Sequence, residues 1–120
     1  MTKKKILLID DEKDIIDMVK IRLGVSGSYE VTTTYSGQAG VDQANSQDFD
    51  LVITDYNMPD LNGEEVIDAI KKVKPDLPLF LFSIYYDDDE TISPAIRAKV
   101  DGLVRKPIDY AQLNEMINNL

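Results

Sequence analysis

Carboxylates and one lysine carry most of the chemistry open to this chain of 120 residues. Asp10 and Asp11 follow the apolar run 6–9, and Asp55 follows the run 51–53 after Thr54. Ser83 follows the run 79–82, and Lys106-Pro107 follows the segment 102–105. The chain has no Cys and no His, which excludes thiol nucleophiles, disulfides, imidazole bases, and thiolate or imidazole metal ligands. Any metal must then be held by oxygen, which points to Mg²⁺, Mn²⁺ or Ca²⁺. Three aspartates brought within a few ångströms would repel one another, and a divalent cation would remove that repulsion. An aspartate beside such a cation can attack phosphorus and form an acyl phosphate. Phosphoryl transfer then asks mainly for placement and for charge neutralisation around the equatorial oxygens. The cation, Lys106 and Ser83 would each face one of those oxygens, with Asp55 as the acceptor.

The elements that must position these groups are legible as alternating patterns. Continuous apolar blocks at 6–9, 51–53 and 79–82 predict strands covered on both faces, as in a parallel sheet. The more polar 29–34 predicts an edge strand, and 102–105 a short fifth strand. Helices are expected between them. Residues 13–23 place Ile15, Ile16, Val19 and Leu23 on one stripe that Gly24 stops, with Ile21 opposite and exposed. Residues 37–46 form a weaker helix with Gly40 inside it. Residues 64–73 align Val66, Ile67, Ile70 and Val73, and 110–120 align Leu113, Met116, Ile117 and Leu120. Ser93 as cap and Pro94 as first helical residue predict a short fourth helix ending near Val100, with 85–92 as loop. Five strand–helix units imply an α/β fold, a doubly wound five-stranded parallel sheet in the order 2-1-3-4-5. Ligands of such sheets bind at the carboxyl ends of the strands, where strands 1 and 3 diverge, and there the three aspartates would converge.

Composition narrows the partners. Thirteen basic and 22 acidic residues give a net charge of −9, which opposes DNA, RNA and anionic lipid as direct partners. Hydrophobic residues at 43% and charged residues at 29% suit a globular domain, and 120 residues suit one domain. The basic start is followed by too few apolar residues for a secretory signal, and no run is long enough to cross a bilayer, so a cytoplasmic protein is expected.

Taken in order, these pieces resemble the receiver domain of two-component response regulators. The resemblance is carried by Ile6-Leu7-Leu8-Ile9-Asp10-Asp11-Glu12, then Asp55-Tyr56-Asn57-Met58-Pro59-Asp60-Leu61-Asn62-Gly63, then Ser83, then Lys106-Pro107. It runs from about residue 4 to 120, so 1–120 is expected to be one receiver domain with the flavodoxin-like fold of the chemotaxis regulators. The resemblance implies that Asp55 is the phosphoacceptor. It implies that Asp11, Asp55 and the Asn57 backbone carbonyl ligate Mg²⁺ directly, that Asp10 acts mainly through water, and that Mn²⁺ can substitute. Ser83 would hydrogen-bond the phosphoryl group, Lys106 would pair with one of its oxygens, and Lys106-Pro107 would be a cis peptide. The implied protein is a signalling switch rather than a conventional enzyme, with only limited self-catalysed phosphorylation and dephosphorylation. Lacking His, it would take its phosphoryl group in trans from a histidine kinase or histidine phosphotransfer protein. It would then control a partner or an output domain, either as a stand-alone receiver or as part of a longer chain.

Some residues depart from the family pattern. Leu103 stands three before Lys106, where a switching Tyr or Phe is usual, and Ile84 stands where a small Ala is usual. The response to phosphorylation is therefore expected from 83–92 and the start of the short helix, with Ile84 crowding the path of any aromatic. Asp10 and Asp11 would cap the first helix if they were alone. The acidic run 87–90 reads as a solvated loop, since it lacks calcium-loop spacing. Tyr85-Tyr86 reads as a partner-binding pair or as packing under the loop. A haloacid dehalogenase-type phosphatase would want an aspartate where Asn57 stands, and a flavodoxin-type electron carrier a Ser/Thr/Gly-rich loop where Asp10-Asp11-Glu12 stands. The alternative that survives is a phosphorylation-independent interaction module on the same fold.

Overall fold

A computed structural model describes residues 3–84 and 90–120. Its elements alternate in chain order: β1 (Lys4–Ile9), α1 (Lys13–Gly24), β2 (Tyr29–Thr34), α2 (Gly37–Ser46), β3 (Leu51–Asp55), α3 (Gly63–Val73), β4 (Leu79–Ser83), α4 (Pro94–Ala98), β5 (Gly102–Arg105) and α5 (Tyr110–Asn118). Every strand pairing is parallel, and the order is β2-β1-β3-β4-β5. That is the predicted doubly wound sheet, with β2 at one edge and β5 at the other.

The continuous apolar runs divide between two faces, because successive strand residues point to opposite sides. Ile6 and Leu8 join Ile53, Phe80 and Phe82 in a layer packed against Ile16, Val19 and Leu23 of α1 and Leu113 and Ile117 of α5. Leu7 and Ile9 join Val52, Leu79 and Leu81 in a layer packed against α2, α3 and Ile96 of α4. Each fully buried Ile or Leu in these layers contributes roughly 1.5–3 kcal/mol of hydrophobic stabilisation. Glycine lets α2 come close to the sheet: a methyl group on Gly40 would collide with the side chain of Ile9.

Caps set where the helices begin. Ser36 Oγ accepts the Ala39 N–H in α2, and Asn62 and Glu65 form a reciprocal capping box at the start of α3. Ser93 caps α4 by accepting the Ile96 N–H, with Pro94 as the first helical residue, as expected. Beyond α4, Lys99 Nζ reaches Glu64 at 2.9 Å and Asp68 at 3.1 Å on α3. No helix among the described residues is long and apolar enough to cross a membrane.

Several boundaries and faces differ from expectation. β3 runs through Asp55 and β4 through Ser83, because Asp55 still pairs with Phe82 and Ser83 with Arg105. Backbone pairing is indifferent to side-chain polarity, so the strands outlast their apolar runs. α4 ends at Ala98 rather than near Val100, and α5 at Asn118 rather than 120. Gly24 lies inside the last turn of α1, and the chain reverses at Gly27. Ile15 is 46% exposed, because it lies on the flank of the buried stripe, where α1 and α5 leave an open groove. Val73 and Leu120, at or past the ends of their helices, are exposed, and Met116 is half-buried. Ile21 is exposed as predicted. Leu103 is half-buried and packs on the α2–α3 side, whereas Ile84 lines the groove beside α1 and is exposed. Ile84 and Leu103 thus face different sides of the sheet. The pair Tyr85-Tyr86, the run 87–89 and most of the expected loop 85–92 lie outside the described residues.

Candidate functional site

The strand ends gather the predicted residues. Asp10 and Asp11 leave β1, Asp55 closes β3, Ser83 closes β4 and Lys106 follows β5. Because β1, β3 and β4 are neighbours in register, these positions share one end of the sheet. Asp10, Asp11 and Asp55 each offer a carboxylate oxygen within 4.8 Å of the others, and among the described residues no other such group of potential metal ligands occurs.

Asp10 is fully buried, and both its oxygens are engaged. Oδ1 accepts the Glu12 N–H at 2.9 Å, and Oδ2 accepts from Lys106 Nζ at 3.2 Å. The N-cap residue of α1 is Glu12, whose own side chain makes no capping bond, while Asp10 accepts the Glu12 N–H from just outside the helix. Asp55 is buried too, and its Oδ1 accepts the Tyr56 N–H at 2.9 Å and Lys106 Nζ at 3.1 Å. Both donors meet the same oxygen. Asp11 is exposed, with a carboxylate oxygen in the same close group as those of Asp10 and Asp55. Ser83 is buried at the end of β4, and its carbonyl accepts the Lys106 N–H at 3.2 Å. A cavity of about 100 Å³ opens among Glu12, Asp55, Asn57, Ser83, Ile84 and Lys106. The Lys106–Pro107 peptide is cis, as the resemblance implied.

One ammonium faces three carboxylates, and the imbalance governs the electrostatics. Burial pushes the Asp55 carboxyl up to about 6, and the charge of Asp10 adds to the rise. Lys106 and the Tyr56 N–H oppose that rise without cancelling it. Burial works against the Lys106 charge as well, but Asp55 and Asp10 outweigh it and hold the ammonium above its usual value. With Lys106 as its one cation, the cluster is rich in carboxylate oxygens, which are hard donors. That donor set fits Mg²⁺, which accepts a few carboxylates and completes its shell with water or phosphate oxygen.

Three contributors escaped the reading of the sequence. Glu12 lines the cavity and lies 3.9 Å from Lys106, a role its place in the acidic run Asp10-Asp11-Glu12 could have suggested. The Phe82 ring lies under Lys106 Nζ at 4.5 Å, and only the sheet order brings them together. The Tyr56 N–H has no signature in side-chain pattern at all.

The response regulator receiver domain family matches residues 6–118. Response regulator SaeR of Staphylococcus aureus is 34% identical over 115 residues, covering 96% of this chain and 49% of that protein. The chain thus spans about half the length of the curated relatives it matches. Among solved structures, response regulator protein TrrA from Thermotoga maritima, in complex with Mg²⁺-BeF, superposes with a TM-score of 0.83 at 32% identity, covering 97% of each chain. A CheY-like receiver domain protein from Methanospirillum hungatei superposes at 0.87 with 26% identity, covering 98% of this chain and 93% of that one. On a match that runs over nearly its whole length, the chain belongs to the response regulator receiver domains of two-component signalling.

Proposed function

We propose that residues 1–120 act as one receiver domain, in which Asp55 accepts a phosphoryl group in a Mg²⁺-dependent reaction. The observation that carries this reading is the convergence of Asp10, Asp11 and Asp55 around a single lysine, with Asp55 opening on the cavity beside Asn57 and Ser83. Asp11, Asp55 and the Asn57 carbonyl would hold Mg²⁺, Asp10 would act through water, and Mn²⁺ would substitute. When bound, the cation neutralises charge on the phosphoryl oxygens. The complex of TrrA, 32% identical, with Mg²⁺-BeF supports the Mg²⁺-dependent reading.

The chain's own residues do the rest. Tyr56 N–H and Lys106 orient the Asp55 carboxylate for in-line attack. A bond forms from an Asp55 oxygen to phosphorus as the bond from phosphorus to the donor's leaving group breaks, and the leaving group takes the electron pair. Lys106, already beside Asp55, neutralises one phosphoryl oxygen, and the Ser83 hydroxyl donates to another. With no His in the chain, the donor is a histidine kinase or histidine phosphotransfer protein acting in the cytoplasm, and its leaving group is imidazole nitrogen. The groove of about 460 Å³ between α1 and α5, bordered by Ile15, Met18, Ile84 and Lys106, offers that donor an apolar seat beside Lys106, which itself contacts Asp55. The same residues make self-catalysed transfer from small donors, and slow hydrolysis, the limit of the domain's own chemistry. The phosphorylated domain then changes conformation and controls a partner or an output domain.

Acetyl phosphate with Mg²⁺ is expected to add about 80 Da, one phosphoryl group, and Asp55→Asn to abolish the adduct. Intact-mass spectrometry reads both. An undiminished adduct on the Asn variant would reassign the acceptor. No adduct on the wild-type chain would leave the phosphorylation-independent interaction module in its place.

A further inference from the structure

Residues 56–62 join β3 to α3 and carry Asn57 along the wall of the cavity. The ends of this loop are pinned. The Tyr56 N–H donates to the Phe82 carbonyl at 3.3 Å, and the Gly63 N–H donates to the Tyr56 carbonyl at 2.7 Å. Between those pins, among the described residues, 57–61 reach another element by hydrogen bond through a single side chain, that of Asp60. Its Oδ1 accepts the Gly37 N–H at 3.0 Å, and its Oδ2 accepts the Gln38 N–H at 2.9 Å. Both donors belong to the first turn of α2, where amides have no partner within their own helix. These two bonds, that from Gln38 first, hold the Asp60 carboxyl below its usual range.

The fit around the pair is close. A methyl group on Gly37 would lie 2.7 Å from Leu61 Cβ, 3.2 Å from Val66 Cγ2 and 3.3 Å from Asp60 Oδ1. On its other side α2 is seated against Ile9 at Gly40, and Ile9 is the residue before Asp10. One helix therefore touches both arms of the site: the end of β1, with Asp10 and Asp11, and the loop with Asn57.

We infer that Asp60 is a positioning residue, whose carboxylate clasps the first turn of α2 and thereby holds the Asn57 carbonyl in place relative to Asp10 and Asp11. The inference rests on the reading of the site as a Mg²⁺-dependent acceptor. A carboxylate that merely capped α2 would add helix stability and leave the affinity for Mg²⁺ untouched. A clasp ties affinity to the contact itself, because groups that orient metal ligands commonly change affinity tenfold or more when removed.

Three variants separate these roles. Asp60→Ala removes both hydrogen bonds, and Asp60→Asn keeps one good acceptor. Gly37→Ala leaves Asp60 intact but drives a wedge between α2 and the loop, while improving helix propensity. Mg²⁺ alone is titrated by calorimetry into each protein, with circular dichroism and urea unfolding alongside. The clasp predicts about a tenfold loss of Mg²⁺ affinity in Asp60→Ala, a smaller loss in Asp60→Asn, and a clear loss in Gly37→Ala. Wild-type affinity in Gly37→Ala and Asp60→Asn, whatever their stability, would overturn the inference even if Asp60→Ala failed to fold. A wild-type chain that binds no Mg²⁺ would overturn the underlying reading of the site together with it.

Discussion

The two faces of the sheet are finished differently. On the α2–α3 side the helices are fastened to each other and to the sheet. Gly40 lets α2 meet Ile9, Asp60 ties the 56–62 loop to α2, and Lys99 ties the end of α4 to Glu64 and Asp68. On the α1–α5 side a groove of about 460 Å³ remains open, and Ile15, Met18 and Ile84 are exposed along it. The contrast separates two tasks. The closed face holds positions, and the open face leaves apolar surface within reach of the reactive edge. Both tasks meet at Asp55 and Lys106, which sit at the shared end of the strands.

The sharpest way to break that contrast is to cut equivalent apolar bulk from each face. Ile67 is fully buried on the closed face, so Ile67→Ala is expected to cost about 2–5 kcal/mol in urea denaturation. Met18, 62% exposed, is expected to cost at most about 0.5 kcal/mol as Met18→Ala, yet to slow transfer from a protein phosphodonor while leaving acetyl phosphate transfer unchanged. Equal stability losses in the two variants would abolish the distinction. Equal rates with the protein donor would remove the groove from the reaction.

A second test probes the edge the faces share. In the metal-free protein the folded pKa of Asp55, about 6, lies above the ordinary aspartate value of 3.8, so ionisation of this group destabilises the fold as pH rises between those values. Asp55→Asn removes the penalty. The variant is expected to exceed the wild type by about 2 kcal/mol at high pH, with the advantage fading as pH falls below 6 towards 4. Unfolding curves across that range check the sign. A variant less stable than the wild type at high pH would mean that the Lys106 contact outweighs burial and the repulsion from Asp10.

Much of this was legible beforehand, and the reasons for the rest are physical. Continuous apolar runs bounded by helical stripes predict five parallel strands, and the strand order then gathers Asp10, Asp11, Asp55, Ser83 and Lys106 at one end. Periodicity reports an angle around a helix but not what stands opposite. Ile15 lies on the predicted stripe, yet it faces a gap between α1 and α5 that no pattern within α1 encodes. The clasp from Asp60 to Gly37 and Gln38 spans more than twenty residues and ends on backbone amides, which carry no side-chain signal. The contact of Lys106 with the Phe82 ring joins β4 to the residue after β5 and needs the register to be known.

The tie between Gly63 and Tyr56 has a consequence for how the molecule ages. Asn62-Gly63 is the dipeptide most open to deamidation, because an unhindered glycine nitrogen can close a ring on the asparagine side-chain carbon. Here that nitrogen already donates its hydrogen to the Tyr56 carbonyl at 2.7 Å, and the Asn62 amide oxygen is held by the Glu65 N–H at 2.9 Å. Ring closure requires both contacts to break and the first turn of α3 to open. The folded chain is therefore expected to keep Asn62 intact over incubations in which the urea-unfolded chain accumulates isoaspartate, and peptide mapping of the two samples would expose equal accumulation if the turn opens freely. Conversion of Asn62 thus becomes an internal clock for how often this corner of the fold comes apart.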